Sequence, residues 1–213
     1  MIVEERVVSY IHSLDSGNGE FLDKLRFQAE EDKIPIIRQE TEQLLKVLLR
    51  LKQPKHILEV GTAIGYSALV MAANVPEESK ITTIEKYEKR IPLAYQNFQD
   101  AKMEDKITLL EGDAIEILKT LTPAYDFIFM DAAKGQYVYF LPELVRLLKK
   151  GGILVSDNVL QDGDILESRF AVTRRNRTIH KRMREYLYEV MHHDRLVSMV
   201  FPIGDGLTVS SRK

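Results

Sequence analysis

From His56 onward the chain alternates short apolar runs with amphipathic stretches, and that rhythm restricts its fold more than any other feature. The runs at 56–60, 80–84, 106–110, 125–130 and 152–156 have the length and composition of strands. Between them, 65–74, 88–102, 113–120 and 136–148 carry helical spacing, with Gly151-Gly152 read as the stop of the last. Five such repeats predict an α/β fold: a doubly wound, mostly parallel sheet covered by helices. The tail changes character. A polar helix at about 170–192 is followed by Leu196–Phe201 and Leu207–Ser210 around Pro-Ile-Gly-Asp-Gly, an antiparallel pair at the end of the sheet. Residues 2–51 read as helices, with Leu44, Leu45, Val47, Leu48, Leu49 and Leu51 crowding one segment and Asp15-Ser-Gly-Asn-Gly19 breaking an earlier one. No repeat or linker interrupts the 213 residues, so one domain is expected, with N-terminal helices (1–51) ahead of a core (56–213).

Composition removes several chemistries. There is no cysteine, which excludes disulfides, thiolate zinc sites and thiol nucleophiles, and fits a reducing cytoplasm. A net charge of −2 means that any polyanion must be met by a local patch. No apolar stretch approaches the ~18 residues that span a bilayer, and the N-terminus lacks the pattern of a signal peptide.

Two of the strand candidates end on oxygen-bearing side chains. Phe127-Ile-Phe-Met-Asp131-Ala-Ala-Lys134 and Ile153-Leu-Val-Ser-Asp157-Asn158-Val159 would aim Asp131, Asp157 and Asn158 at one point if the strands are neighbours, because ligands collect beyond the carboxyl ends of parallel strands. Three oxygen donors without His or Cys suit a hard cation such as Mg²⁺. A nearby divalent ion would disfavour the ammonium form of Lys134 and make it a candidate general base. The plainer reading of each motif alone is a helix cap or turn.

The first strand runs into Glu59-Val-Gly61-Thr-Ala-Ile-Gly65-Tyr66-Ser67, a glycine turn opening a helix. Its spacing is Gly-x-x-x-Gly and not the Gly-x-Gly-x-x-Gly of dinucleotide folds, which points to a cofactor carrying a small zwitterion instead of a pyrophosphate. The second strand ends on Glu85, where an acid can grip ribose hydroxyls, and the third leads into Gly112-Asp113-Ala114, placed to flank an adenine ring. A tight strand-to-helix turn is the alternative for the glycine loop by itself.

In this order, Glu-Val-Gly-Thr-Ala-Ile-Gly-Tyr-Ser, Ile-Glu85, Gly-Asp-Ala, Met-Asp-Ala-Ala-Lys and Ser-Asp-Asn-Val resemble the motifs of class I S-adenosylmethionine-dependent O-methyltransferases of the metal-dependent, catechol O-methyltransferase type. The resemblance spans about 35–210. Within that family it leans toward the bacterial enzymes that methylate 5-hydroxyuridine at the wobble position of tRNA. It implies a seven-stranded sheet with a reversed last strand, S-adenosylmethionine and Mg²⁺ as cofactors, and a homodimer. Carried onto this chain, Ile37, Ser67, Glu85, Asp113, Ala114 and Asp131 would contact the cofactor, with Glu59, Gly61, Tyr66 and Gly112 beside them. Asp131, Asp157 and Asn158 would hold the metal, and Lys134 with Asp131 would be catalytic.

Two adjacent open positions on such a cation favour an acceptor with vicinal oxygens, one ionisable. Catechols qualify, and so does 5-hydroxyuracil, whose 5-hydroxyl neighbours a carbonyl. The segment Arg169–Arg184 carries seven Lys or Arg and no acid. It follows the metal motif closely enough to rim the site, so Arg174, Arg175, Arg177, Lys181 and Arg182 are candidates for contact with a tRNA anticodon stem-loop, and Phe170, Tyr137 or Tyr139 for stacking on a base. A solvated helix face is the competing reading. His192-His193 read as helix-end residues and not ligands. Residues 21–33, Tyr186 and Tyr188 read as packing or subunit contacts.

Overall fold

The computed structural model describes residues 3–213, so residue 2 of the expected N-terminal helical stretch lies outside them. Three helices, α1 (Glu5–Ser13), α2 (Glu20–Glu31) and α3 (Gln39–Lys52), precede β1 (His56–Val60). There follow α4 (Tyr66–Ala73), β2 (Lys80–Glu85), α5 (Ile91–Asp100), β3 (Ile107–Glu111), α6 (Ala114–Thr120), β4 (Tyr125–Met130), α7 (Tyr137–Leu147) and β5 (Leu148–Ser156). The chain closes with α8 (Arg177–His192), β6 (Leu196–Phe201) and β7 (Leu207–Arg212).

One seven-stranded sheet runs β3-β2-β1-β4-β5-β7-β6. Strands β1 to β5 are parallel, while β7 slots between β5 and β6 antiparallel to both. Successive side chains of each inner strand enter opposite layers. Ile57, Phe127, Phe129 and Val155 face the layer containing Leu45, Leu49, Leu69 and Phe98. Leu58, Ile128, Met130 and Leu154 face Leu118, Leu144, Met183 and Tyr186. Burial on both faces is why these strands read as unbroken apolar runs and not as alternating ones. The order of strands reverses between β1 and β4, and a crevice opens outside their carboxyl ends at that point.

Several boundaries differ from the sequence reading. Gly151-Gly152 does not stop a helix. α7 ends at Leu147, and β5 starts at once with a bulge, since Tyr125 pairs with Leu148 but Phe127 with Ile153. Gly151 takes φ +68 there, a conformation that costs other residues strain. α5 starts at Ile91 and not at 88, with a proline in its first turn, where the missing N–H costs nothing. α8 starts only at Arg177, so Arg174 and Arg175 stand in the turn before it. Among the described residues no helix is long and apolar enough to cross a membrane.

Candidate active site

Three backbone bonds continue the parallel ladder past the strand ends and fix the floor of the crevice. Gly61 N–H donates to Ile84 O (3.0 Å), Asp131 N–H to Val60 O (3.0 Å) and Asp157 N–H to Met130 O (2.9 Å). Gly61 has φ +104, and a Cβ added to it would fall on the carbonyl oxygen of Asp131. The first glycine of the loop is thus required by the close approach of β1 to the chain leaving β4, as well as by its own dihedral. Above this floor lies a cavity of about 520 Å³.

Most of the sequence-predicted residues meet on its walls: Ile37, Gly61, Tyr66, Ser67, Glu85, Gly112, Asp113, Ala114, Asp131, Lys134 and Asn158. Glu85 is anchored by three backbone amides, Ala63 N–H (2.8 Å) to Oε2 and Lys86 N–H (2.9 Å) and Tyr87 N–H (2.8 Å) to Oε1. Asp113 caps α6 by accepting from Ile115 N–H (2.9 Å), which with Lys86 holds its carboxyl below the ordinary range. Cap and cavity wall therefore coexist in one residue. Tyr66 turns its ring to the cavity and its hydroxyl away, donating to the buried carboxylate of Glu42 at 2.7 Å.

Glu59 corrects the sequence reading. It does not line the cavity; it is fully buried behind it, accepting from Ser67 Oγ–H and from Thr83 Oγ1–H (2.5 Å). Its place within β1 sends its side chain to the same face as Ile57, into the core. Burial, with Asp131 and Glu85 nearby, pushes its carboxyl up to about 8 despite those two bonds. Glu59 reaches the cavity only through Ser67, as a buttress.

Asp131 and Asp157 stand side by side at the ends of β4 and β5. Asp131 Oδ1 accepts from Asn158 Nδ2–H at 2.7 Å, and Asp157 Oδ1 accepts from Asn158 N–H at 2.7 Å. Burial raises both carboxyls; Asp131 raises Asp157 further, and Lys134 opposes the shift in each. Lys134 sits on a 3₁₀ turn, Lys134–Gln136, and has no hydrogen-bond or ion-pair partner among the described residues. An amine left uncommitted beside two carboxylates can exchange a proton with whatever enters.

The donor set suits a divalent cation. Two desolvated carboxylates that repel one another are stabilised by a shared positive charge. Asn158 adopts φ +61 and offers its amide N–H to Asp131; a half-turn of the near-isosteric amide would present oxygen instead. Among the described residues no group of three or more His, Cys, Asp or Glu that could hold a metal gathers anywhere, so the candidate set consists of two carboxylates and one side-chain amide.

Two residues absent from the sequence reading join the site. Asp205, in the turn between β6 and β7, lines the cavity and pairs with Arg38 Nη2 at 2.6 Å. Thr41 Oγ1 lies 3.5 Å from Asp157 Oδ1. No motif flags them, because each contact joins distant parts of the chain.

The basic segment is split in its commitments. Arg174 and Arg175 are exposed. Arg177 is half-buried over Phe170, and Lys181 pairs with Glu185 (3.5 Å). Arg182 donates to Gly135 O (3.1 Å) and stacks over Tyr139, so it braces the turn that carries Lys134. Tyr137 is fully buried and cannot stack on a base, whereas Phe170 is 84% exposed. His192 closes α8 and bonds Tyr188 O, as a helix-end residue does. Tyr186 is core, and Tyr188 lies on the surface.

Known proteins are similar to this chain in sequence and fold. The sequence profile of the O-methyltransferase family matches residues 12–213. Caffeoyl-CoA O-methyltransferase 2 of Populus trichocarpa is 32% identical over 80% of this chain and 72% of its own length. Tapetum-specific methyltransferase 1 of Arabidopsis thaliana is 31% identical over 79% and 74%. The SAH-bound methyltransferase PaMTH1 of Podospora anserina superposes with a TM-score of 0.88 at 26% identity, covering 98% of this chain and 94% of that one. TomG of Streptomyces achromogenes, solved with SAM, gives 0.82 at 25% identity over 98% and 96%. With its seven-stranded sheet, its glycine loop and a family match over nearly its whole length, the chain belongs to the O-methyltransferase family.

Proposed function

We propose that this protein moves a methyl group from S-adenosylmethionine to an ionisable hydroxyl that has a second oxygen beside it. Neighbours of the same fold solved with SAH or SAM support the donor. On this reading Ile37, Gly61, Tyr66, Ser67, Glu85, Gly112, Asp113 and Ala114 hold the donor, with Asp131 between donor and acceptor. Asp131, Asp157 and Asn158 would hold Mg²⁺ or another divalent cation, which when bound lowers the pKa of the acceptor hydroxyl and orients its oxygen. Lys134 takes the hydroxyl proton. The walls keep the two reacting ends in line, which is the larger part of what a displacement at a methyl carbon needs. One observation carries this reading: the half-buried Asp131 and the buried Asp157 stand at adjacent strand ends, both under the influence of Lys134, beside the cavity that the glycine loop opens.

For the acceptor we propose 5-hydroxyuridine at the wobble position of a tRNA anticodon loop, converted to 5-methoxyuridine. The exposed cations and rings of the basic segment support it. Arg174 and Arg175 are exposed, Phe170 offers an open ring, and Tyr139 with Arg182 flanks the Lys134 turn. Exposed cations meet phosphates, and exposed rings stack on splayed bases. A second reading, a small catechol-like phenol, is supported more directly by the relatives, several of which are named caffeoyl-CoA O-methyltransferases. Methyl transfer from labelled donor to tRNA lacking 5-methoxyuridine, run beside transfer to caffeate and caffeoyl-CoA, separates the two. Nucleoside mass spectrometry of cells with and without the gene is decisive in vivo. Unchanged 5-methoxyuridine on deletion refutes the tRNA reading; 5-hydroxyuridine accumulating in its place supports it.

A further inference from the structure

Tyr137 opens α7 with no exposed surface. Its hydroxyl oxygen lies 3.0 Å from Asp157 O and 3.4 Å from Met130 O, and accepts from Ala132 N–H at 3.3 Å. Those three groups bracket the carboxylates: Met130 and Ala132 stand on either side of Asp131, and Asp157 is the other acid itself. The one phenolic proton goes to the nearer carbonyl, that of Asp157.

The location matters because the ladder between β4 and β5 ends here, with Asp157 N–H to Met130 O. Beyond that bond the two chains part, one toward the Lys134 turn and the other into the left-handed Asn158. A second link across the split, Asn158 Nδ2–H to Asp131 Oδ1, joins one candidate ligand to another and is lost once the amide oxygen faces a cation. The phenol link survives that change. Its ring cannot swing away, since Tyr186 packs edge-on against it at 5.4 Å and 82°, and the Tyr186 hydroxyl is itself tied to Ser156 (2.6 Å) and Thr208 (3.3 Å).

We infer that Tyr137 is a positioning residue: its hydroxyl staples the ends of β4 and β5 and sets the separation of Asp131 and Asp157, and thereby the affinity for the divalent cation, without touching cation, donor or acceptor. This rests on the metal reading given under Proposed function. Outer partners that orient metal ligands change affinity by about 10- to 100-fold when removed.

The test compares Tyr137→Phe and Tyr186→Phe with the unaltered protein, measuring Mn²⁺ binding by electron paramagnetic resonance and S-adenosylmethionine binding by calorimetry. Both variants lose one buried hydroxyl. The expected result is Mn²⁺ affinity about 10-fold weaker in Tyr137→Phe and within twofold of normal in Tyr186→Phe, with donor affinity unchanged in both. Normal Mn²⁺ affinity in Tyr137→Phe overturns the inference. So does an equal loss in both variants, a parallel loss of donor binding, or a Tyr137→Phe chain that does not fold, since each makes the hydroxyl a general support of the sheet. A measurement needing no variant adds to this: the Ala132 amide should exchange slowly with deuterium, and exchange at the rate of open backbone denies the bond. If the unaltered protein binds no Mn²⁺, the metal reading itself falls and the staple loses its role with it, a result distinct from any variant effect.

Discussion

Replacing Glu59 by Gln should make the protein more stable, and more so as pH rises. The carboxyl is fully buried, and its pKa is pushed up to about 8, chiefly by desolvation, against 4.5 for the unperturbed group. A raised folded-state value means that the folded chain keeps its proton while the unfolded chain gives it up. Stability from this group is therefore complete below about pH 4.5, falls as pH rises toward 8, and levels off beyond. Each pH unit in that window is worth about 1.4 kcal/mol, so the whole span comes to roughly 5 kcal/mol. Gln has the same shape, accepts from Ser67 through its oxygen and donates to Thr83 through its nitrogen, and does not titrate. Urea unfolding of both proteins from pH 5 to pH 9 measures the effect. The stability difference should be about 1 kcal/mol at pH 5, grow in favour of Gln to about 4 kcal/mol by pH 8, and level off by about pH 9. Two curves running parallel across the range would show Glu59 ionised in the folded protein throughout and rule out a raised pKa.

Lys134→Met should lower single-turnover methyl transfer by about 10²–10⁴-fold, with donor affinity by calorimetry within twofold of normal, if the amine removes the acceptor proton. Gly61→Ala forces a Cβ onto Asp131 O at a positive φ; about 3 kcal/mol or more of lost stability in chemical denaturation, with donor binding also lost, is the expected outcome. Arg174→Glu with Arg175→Glu should weaken tRNA binding by at least 10-fold in filter binding at low salt and leave donor binding untouched, and equal tRNA affinity would return the turn before α8 to a solvated face.

What the sequence discloses and what it conceals follow one physical rule. The inner strands β4 and β5 are legible because burial on both faces leaves continuous apolar runs, and Asp131, Asp157 and Asn158 are legible because each lies just past such a run, with Asp131 and Asn158 on the cavity wall and Asp157 buried beside them. Side-chain direction inside a strand needs parity as well as position. Glu59 stands one residue short of the strand end, shares the face of Ile57, and so points into the core while looking in sequence like one more site carboxylate. Contacts between distant segments leave no local trace: Arg38 with Asp205, Thr41 with Asp157, and the Tyr137 hydroxyl across the split sheet. Glycine is ambiguous for the same reason. Gly151-Gly152 suits a helix stop or a bulge equally well, and only the register of β5 against β4 decides. The concealed residues share a second property: each braces a group that sequence does reveal, Glu59 behind Ser67, Tyr137 behind the two aspartates, Arg182 behind the Lys134 turn. Chemistry at this site is written in short motifs at strand ends, whereas the rigidity that makes such chemistry effective is assembled by tertiary packing between residues far apart in the chain.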